Sequence, residues 1–548
     1  GADHISNKMI KCLAADIAPI LNNLFNKCFS MKYFPKNWKK SVAIILPKPN
    51  KDNYENPKAY RPISLISNFA KIFERIILNK IDHHLLSHNL RDPRQHGFTK
   101  GRSTISALQE ITQEIINKKQ DNNVAVVSID FSAAFDNALW PAVLLKLDQL
   151  NTPETIIKIL QSYFTDRTVS YQHSGIEITK EISKGCPQGG VLSPQLWNIL
   201  VSTMTTSQGQ FSTVMYADDV TFICWDKNIQ RVKETVKNIV KDVQEWSRDV
   251  KLSMNPDKTQ VVFFGTKQRP VIHLDDNTEI KPNDSIKILG VSFKNHRNKD
   301  KIDFAPHIND IITKTTKMKN ILFSLATRKF GINSKKRLTI YKCAIRPILT
   351  YASNIWFKHV TAEHKKRLNR SQKCFLNHAI MAFKSTSHEE VHSLAKVPFL
   401  SDFIPLIPLE KEERIQASEN LLSNYFAKTK PQFRIFFNKT VPKHFQLSSP
   451  TTQLVTNHGP FRQHIHEFFN RGDPTCGCGF RQTAFHLVKR CKLFRRIRPR
   501  CVVERPLKEI TSDPDTAHIL AQFMIELYRK VIQMNGQNPP ALNLSLPL

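Results

Sequence analysis

"VMYADDVTF", residues 214–222, sets Asp218 and Asp219 side by side at the centre of an apolar, β-prone run. Adjacent carboxylates repel each other and burial raises the cost of ionising both, so strands are poor in such pairs. Two readings account for this one. In the first, the stretch is a hairpin whose turn happens to be acidic, since Asp tolerates turn geometry. In the second, the turn presents a pair of metal ligands between two buried strands. The stretch alone leaves both open, and its neighbours along the chain must decide.

Upstream, "VAVVSID" (124–130) is a continuous β-branched run, the pattern of a strand buried on both faces, and it ends on Asp130. Between the two lie helical segments at 138–150 and 153–164, a hairpin-like region to about 183, and a helix at 193–206 that opens with Ser-Pro. Downstream, residues 229–250 carry apolar residues at i, i+3, i+4 and i+7, a long amphipathic helix, and "TQVVFFG" and "IKILGVSF" supply two more strands. From 124 to 264 the order is strand, helices, strand–turn–strand, helix, strand. This predicts an α+β fold with a ferredoxin-like sheet and helices on one face. In that layout Asp130 ends a central strand beside the hairpin that bears Asp218 and Asp219, and the three carboxylates converge. Such a group needs divalent cations to neutralise it, and hard oxygen donors suit Mg²⁺. Two ions about 3.5–4 Å apart serve in-line nucleotidyl transfer.

On the N-terminal side, residues 8–30 read as a helix, "SVAIILPK" (41–48) as a strand, and 67–85 and 104–120 as amphipathic helices. From about 300 to 385 the chain turns helical and basic, with eleven Lys/Arg between Lys301 and Arg346 against Asp303 and Asp310. That imbalance fits a surface that tracks phosphates. Residues 391–460 are Pro-, Ser- and Thr-bearing and read as a linker with some helices. There is no internal repeat.

The 548 residues carry 80 Lys+Arg against 47 Asp+Glu, a net charge of +33 that calls for a polyanionic partner. No apolar stretch reaches membrane-spanning length, so nucleic acid is favoured over a membrane. The opening "GADHISNKMIKCL" has neither an initiator Met nor the order of a signal peptide, and reads as a chain cut from a longer one. Most of the ten cysteines stand singly in apolar surroundings, as reduced thiols of an intracellular protein do. Cys476, Cys478, His486 and Cys491 are different: they form a Cys-x-Cys-x₇-His-x₄-Cys set, three thiolates and an imidazole, as tetrahedral structural Zn²⁺ prefers. Nine Lys/Arg and one acidic residue lie between Arg471 and Cys501, which suits a zinc-knuckle-like contact with nucleic acid. His464 and His466 read as structural.

In order, "ILPKPNKD", "AYRPISLISNFAKIFERII", "QHGFTKGRST", "SIDFSAAFDN", "SKGCPQGGVLSPQLWNIL", "VMYADDVTF", "LSMNPDKTQ" and "IKILGVSF" resemble the motifs of reverse transcriptases (RNA-directed DNA polymerases) of non-LTR, LINE-type retrotransposons, jockey-like lineages above all. The resemblance covers roughly the first 300 residues. It implies a right-hand polymerase with fingers to 123, palm over 124–296 and a helical basic thumb over 297–390. The reverse transcriptase core would span about 30–296, followed by a linker to 470, a zinc module over 471–501 and a tail to 548. It implies that Asp130, Asp218 and Asp219 bind two Mg²⁺. Phe135 would screen the sugar 2′ position, Gln188 and Gly189 lie against the incoming nucleotide and template, and Lys48 and Arg61 contact the triphosphate. Lys258 would sit near the leaving pyrophosphate, and Leu289 and Gly290 in the primer grip. Asp136, next to Phe135, reads as a capping or salt-bridging residue more readily than as a catalytic one. Two positions depart from the family pattern, His4 for a usual Gly and Thr99-Lys100 for a commoner Arg-Pro, and neither touches the carboxylates.

The reaction implied is DNA synthesis on an element RNA template from the 3′-hydroxyl of target DNA, using deoxynucleoside triphosphates, in the nucleus. Complete elements of this family encode an endonuclease ahead of the polymerase, and whether one precedes residue 1 is not legible. The alternatives are an intron-type reverse transcriptase, disfavoured by the Cys/His tail, and a catalytically decayed nucleic-acid-binding remnant. Oligomeric state and template choice are not legible.

Overall fold

The computed structural model describes residues 1, 3–49, 53–132, 134–206, 209–254, 259–275, 278–325 and 332–536. The chain forms two compact units, Gly1–Asp303 and Phe304–Leu548.

The first unit begins with α1 (Ala14–Ser30), β1 (Lys40–Pro47), β2 (Tyr60–Ile66), α2 (Asn68–Ser87), α3 (Thr104–Lys119) and β3 (Asn123–Ile129). It continues with α4 (Trp140–Gln149), α5 (Glu154–Phe164), β4 (Arg167–His173), β5 (Ile176–Ile182), α6 (Ser193–Val201), β6 (Phe211–Tyr216) and β7 (Asp219–Asp226). α7 (Ile229–Asp249), β8 (Gln260–Phe264), β9 (Ser285–Ile288) and β10 (Val291–Asn295) follow. The expected single helix over 8–30 is two, Asn7–Cys12 and α1, meeting at Leu13.

Strands β8, β3, β7 and β6 form one sheet in that order, with every neighbouring pair antiparallel. This is the ferredoxin-like arrangement that the strand–helix order predicts. β3 is its axis. Val124, Ala125, Val126 and Val127 are all fully buried, so both faces of this strand are covered. On one face α7 lays down Val232, Val236, Ile239, Val240 and Val243, which join Ala125, Val127 and Phe222 in a single core. Each such valine contributes about 1.5–3 kcal/mol relative to an exposed one.

The expectation of helices on one face needs correction. α3 packs on β3, β6 and β7, yet its buried Leu108, Ile111 and Ile115 stand outside that core, as do Val124 and Val126. Residues one apart in a strand face opposite ways, so α3 covers the second face. The continuous apolar run of β3 required this.

A second sheet, ordered β2-β1-β4-β5, joins β1 to β4 in parallel and the other pairs antiparallel.

The second unit is helical. Its main elements are α8 (Ala305–Leu325), α9 (Ser334–Ile340), α10 (Ala362–Ile380), α11 (His388–Ala395), α12 (Lys411–Ala427), α13 (Ser449–Thr456) and α14 (Pro514–Met534). Residues 391–470 contribute Phe433, Phe437, Leu454 and Val455 to the interior, so this stretch is packed structure. Its "SSPTT" (448–452) has the composition of a linker and the function of a helix start. Ser448 and Thr451 form a reciprocal capping box, and Pro450 occupies the first turn, where its missing N–H costs nothing. α14 then buries Leu520, Met524, Leu527 and Val531. Among the described residues no helix is long and apolar enough to cross a membrane.

Candidate active site and Cys-His cluster

The acidic stretch is a hairpin. Tyr216 pairs with Asp219, which leaves Ala217 and Asp218 as the turn between β6 and β7. On the other side of β7, Ile129 pairs with Val220, so Asp130, one residue past the end of β3, comes level with Asp219. Strand register alone therefore carries Asp130, Asp218 and Asp219 to one end of the sheet. Asp130 and Asp218 are half-buried and Asp219 is exposed. Three hard carboxylate donors at the open end of a sheet are a set that fits Mg²⁺.

The turn is held from outside. Ala217 has φ of 56°, a left-handed conformation that costs an L-residue on the order of 1–2 kcal/mol. Its N–H donates to Gln95 Oε1 at 3.0 Å, and its carbonyl accepts from Trp197 Nε1 at 2.9 Å and from Gln95 Nε2 at 3.4 Å. Gln95 Oε1 also accepts the Gly97 N–H at 2.7 Å. The segment around Gln95 is itself tied to β6, since His96 N–H bonds the Met215 carbonyl and Met215 N–H the Arg94 carbonyl, each at 2.8 Å. A Cβ at Gly97 would lie 2.2 Å from the Ala217 nitrogen, so this approach demands glycine. Sequence reasoning marks "QHGF" as a motif without giving it a task. The structure gives Gln95 one: it clamps the catalytic-turn candidate.

Phe135 stands beside the same clamp. Its ring lies 5.3 Å from that of Trp197 and meets the Phe98 ring edge-on at 6.2 Å, which fixes its orientation. The loop 183–190 runs along residues 135–138, with Cys186 N–H on the Phe135 carbonyl at 2.7 Å and Gly185 N–H on the Ala138 carbonyl at 2.8 Å. Gln188 Nε2 then donates to Asp136 Oδ1 at 2.8 Å, and the Gln188 carbonyl accepts Ser64 N–H of β2 at 2.7 Å. Gly189 has φ of 125°, and a Cβ there would sit 2.5 Å from the Ser64 carbonyl oxygen. Only glycine serves at that position.

Lys48 follows β1 and Arg61 lies in β2, opposite Leu46. Partial burial pushes the Asp136 carboxyl up, and the Gln188 hydrogen bond with the Lys48 and Arg61 charges pulls it back. Asp136 thus joins the 183–190 loop to a basic edge. Lys48 Nζ also donates to the Lys58 carbonyl at 3.0 Å, and Arg61 is exposed. Leu289 and Gly290, at φ of 46° and 85°, form the two-residue turn between β9 and β10. Lys258 lies outside the described residues.

A missed carboxylate supports the loop from behind. Glu74 is fully buried and accepts the N–H groups of Val191 and Leu192 at 2.5 and 3.2 Å, at the start of α6. Burial pushes its carboxyl up against the pull of Arg167 and these amides.

In the second unit, Cys476, Cys478, His486 and Cys491 place their ligand atoms within 4.8 Å of one another. Among the described residues this is the one group of three or more potential metal ligands so gathered. Cys491 Sγ lies 3.7 Å from both Cys476 Sγ and Cys478 Sγ, and His486 Nε2 lies 3.1 Å from Cys478 Sγ. Thiolates each about 2.3 Å from a central Zn²⁺ at the tetrahedral angle stand about 3.8 Å apart. A disulfide would need about 2.05 Å. Cys476 and Cys478 are presented by a tight turn, in which Gly479 N–H bonds the Cys476 carbonyl at 2.8 Å and Cys476 N–H the Phe480 carbonyl at 2.7 Å. Burial pushes the Cys491 thiol up to about 12, so its thiolate needs a cation. The donor set and its spacing fit Zn²⁺. His464 is engaged elsewhere, with Nδ1 on the Gly459 carbonyl at 2.8 Å and Nε2 on Ser385 at 3.1 Å.

Residues 46–293 match the family described as reverse transcriptase (RNA-dependent DNA polymerase). The chain is 24% identical over 540 residues to a Pol polyprotein from the type-1 retrotransposable element R1 of Bradysia coprophila, covering 91% of this chain and 53% of that protein. It is 25% identical over 462 residues to a probable RNA-directed DNA polymerase from transposon X-element of Drosophila melanogaster, with 83% and 50% covered. The RNA-directed DNA polymerase of the mobile element jockey, from the same fly, is 26% identical over 439 residues, with 77% and 46% covered. The chain spans about half the length of the curated relatives it matches. A solved telomerase of Candida albicans is a looser likeness, 12% identical with a TM-score of 0.39 over 74% of this chain and 68% of that one. Residues 46–293 therefore match the reverse transcriptase family, and over most of its length the chain is similar to the RNA-directed DNA polymerases of non-LTR retrotransposons.

Proposed function

We propose that the chain is an RNA-directed DNA polymerase that extends the 3′-hydroxyl of target DNA on an element RNA template with deoxynucleoside triphosphates. The observation that carries this reading is the delivery of Asp130, Asp218 and Asp219 to one sheet end by register, on a turn that Gln95 and Trp197 hold in place. Two Mg²⁺ bound there would supply Lewis-acid activation of the hydroxyl and neutralise the triphosphate. The chain's own residues do the rest. Phe135, braced by Trp197 and Phe98, excludes a 2′-hydroxyl by contact with its ring. Gln188, fixed on Asp136, and Gly189 shape the floor under the nucleotide. Lys48 and Arg61 hold phosphate oxygens. Leu289 and Gly290 meet the primer, and the resemblance assigns Lys258, outside the described residues, as the general acid for the leaving pyrophosphate.

In this reading residues 1–123 serve as fingers, 124–296 as palm and 297–390 as thumb, and the Cys/His set over 471–501 holds a structural Zn²⁺ next to nine basic residues. The Cys/His geometry favours this over an intron-type enzyme. A decayed remnant would bind nucleic acid and synthesise nothing.

Primer extension on an RNA template with Mg²⁺ tests the proposal. The unsubstituted chain extends the primer. Asp218→Asn removes a ligand oxygen's charge and abolishes extension, while RNA affinity persists because it derives mainly from Lys/Arg–phosphate contacts. Near-normal extension by Asp218→Asn would falsify the assignment.

A further inference from the structure

In the second unit a cavity of about 920 Å³ opens between α12 and the segments around 346, 396 and 441. Five cations line it: Lys342, Arg346, Lys396, Arg414 and Lys443. Lys342, Lys396 and Lys443 extend into an adjoining recess of about 660 Å³, which makes one groove. Glu419 is the only acidic residue of the two linings, and among the described residues no carboxylate pairs with any of the five. Four of the five are half-buried and Lys443 is exposed.

Unpaired cations at a crowded, partly desolvated site are unfavourable unless an anion joins them. Burial, reinforced by the Lys443 and Lys342 charges, pushes Lys396 down to about 8. Lys342 is lowered by burial and by Arg346, and Arg346 by burial and by Arg414, against the opposing pull of Tyr341 and Cys343. The repulsion therefore runs continuously along the groove. Arg346 Cζ lies over the Phe403 ring, 4.4 Å from its centroid, and Arg414 donates to the Ile407 carbonyl at 3.1 Å, so both guanidinium groups are anchored. Five like charges ordered along a recess match a flexible chain of phosphates better than one small anion. Their half-burial admits phosphates singly, as an unpaired strand offers them, while a duplex presents its phosphates on a stiff convex surface.

We propose that this groove binds the phosphodiester backbone of single-stranded RNA. The proposal deepens the polymerase reading, for which it supplies a template-holding site remote in sequence from the carboxylates. Lys335 of the adjoining recess adds a sixth cation, and none of the six belongs to the expected nucleotide-binding set.

The test is fluorescence anisotropy of the full chain with an unstructured oligoribonucleotide of roughly a dozen nucleotides, near one single-strand site size, titrated across salt. Lys342→Gln with Lys396→Gln should weaken binding by about tenfold or more and flatten the log K against log salt slope by about 1.4, about 0.7 per lost contact. Lys443→Glu, at an exposed side chain where folding is not at stake, should weaken binding in the same direction. Lys358→Gln, at an exposed lysine outside the groove, is the control and should leave the slope within a few tenths. An unchanged slope in the groove variants, or an equal loss in Lys358→Gln, overturns the proposal. A blunt RNA duplex losing as much affinity as the single strand overturns it too. Primer extension by the unsubstituted chain reads the polymerase proposal separately, so a chain that binds the oligonucleotide through the groove without extending a primer overturns only the latter.

Discussion

Ala217 is an alanine where backbone geometry would favour glycine, and the strain is tolerated because its N–H and its carbonyl are both held by side chains from elsewhere in the fold. Gln95, 2% exposed, is the centre of that arrangement. Gln95→Leu would strand the buried N–H groups of Ala217 and Gly97, at about 1–3 kcal/mol each. The expected outcome is a lower melting temperature together with a fall in kcat larger than any rise in KM, and a weaker apparent Mg²⁺ affinity for extension. A purely structural role would lower stability and leave the Mg²⁺ dependence of the folded fraction unchanged, so the Mg²⁺ titration is the discriminating readout. Asp130, Asp218 and Asp219 are legible from sequence because strand order and register are local patterns that project to one end of a sheet. Gln95 is not, because its partner lies 122 residues away and no periodicity encodes a side-chain-to-backbone contact across that span. Glu74 was hidden for the same reason, in a helix whose other inward residues are apolar.

Whole elements were legible where their period was clean. α7, with its apolar stripe, and β3, with its unbroken β-branched run, read directly; the helix on the second face of β3 follows from that run once burial on both faces is taken literally. The Ser-Pro-Thr cap of α13 misled because capping residues and linker residues share a composition. The Cys/His element is the opposite case. Its spacing singles out the four candidate ligands, and the turn at 476–479 and the Cys491 N–H bond to the His486 carbonyl show how they meet. With Zn²⁺ bound, the purified chain should contain about one zinc per molecule in S₃N coordination, visible by X-ray absorption at the zinc edge. Cys491→Ser should lower that content and increase amide exchange across 471–500, since metal binding supplies much of the folding free energy of so small an element. Arg498, which donates to the Val488 carbonyl at 2.7 Å and the Cys491 carbonyl at 2.9 Å, should still order part of the segment. Full zinc content in Cys491→Ser would remove that thiolate from the ligand set.

At the scale of the molecule, the second unit gathers several buried histidines whose protonation opposes folding. Burial pushes His378 down to about 4, and His392 and His458 to about 3. His388 and His464 are lowered as well, in each case chiefly by burial. These five side chains are neutral in the folded unit and take up protons in the unfolded chain near pH 6.5. The unfolded state then binds more protons below that pH, so stability is flat above about 6.5 and falls as the pH drops toward 3–4. Glu390 acts the other way. Its carboxyl is raised by burial, so the folded unit keeps that proton, a gain that grows as the pH falls toward 4.5. Five groups against one leave a net loss. His378 and His388 are partly exposed and count for less, and the decline in Tm between pH 7 and pH 5 is on the order of 10 °C for a unit of this size. Differential scanning calorimetry of the full chain, following the transition of the second unit, should show it. His392→Gln, at a nearly fully buried ring whose Nδ1 bonds the Val397 carbonyl, should lower Tm at pH 7 and make its decline toward pH 5 shallower than that of the parent. A pH-independent Tm across that range would show that these histidines take up protons equally in the folded and unfolded chain, against the burial that surrounds them.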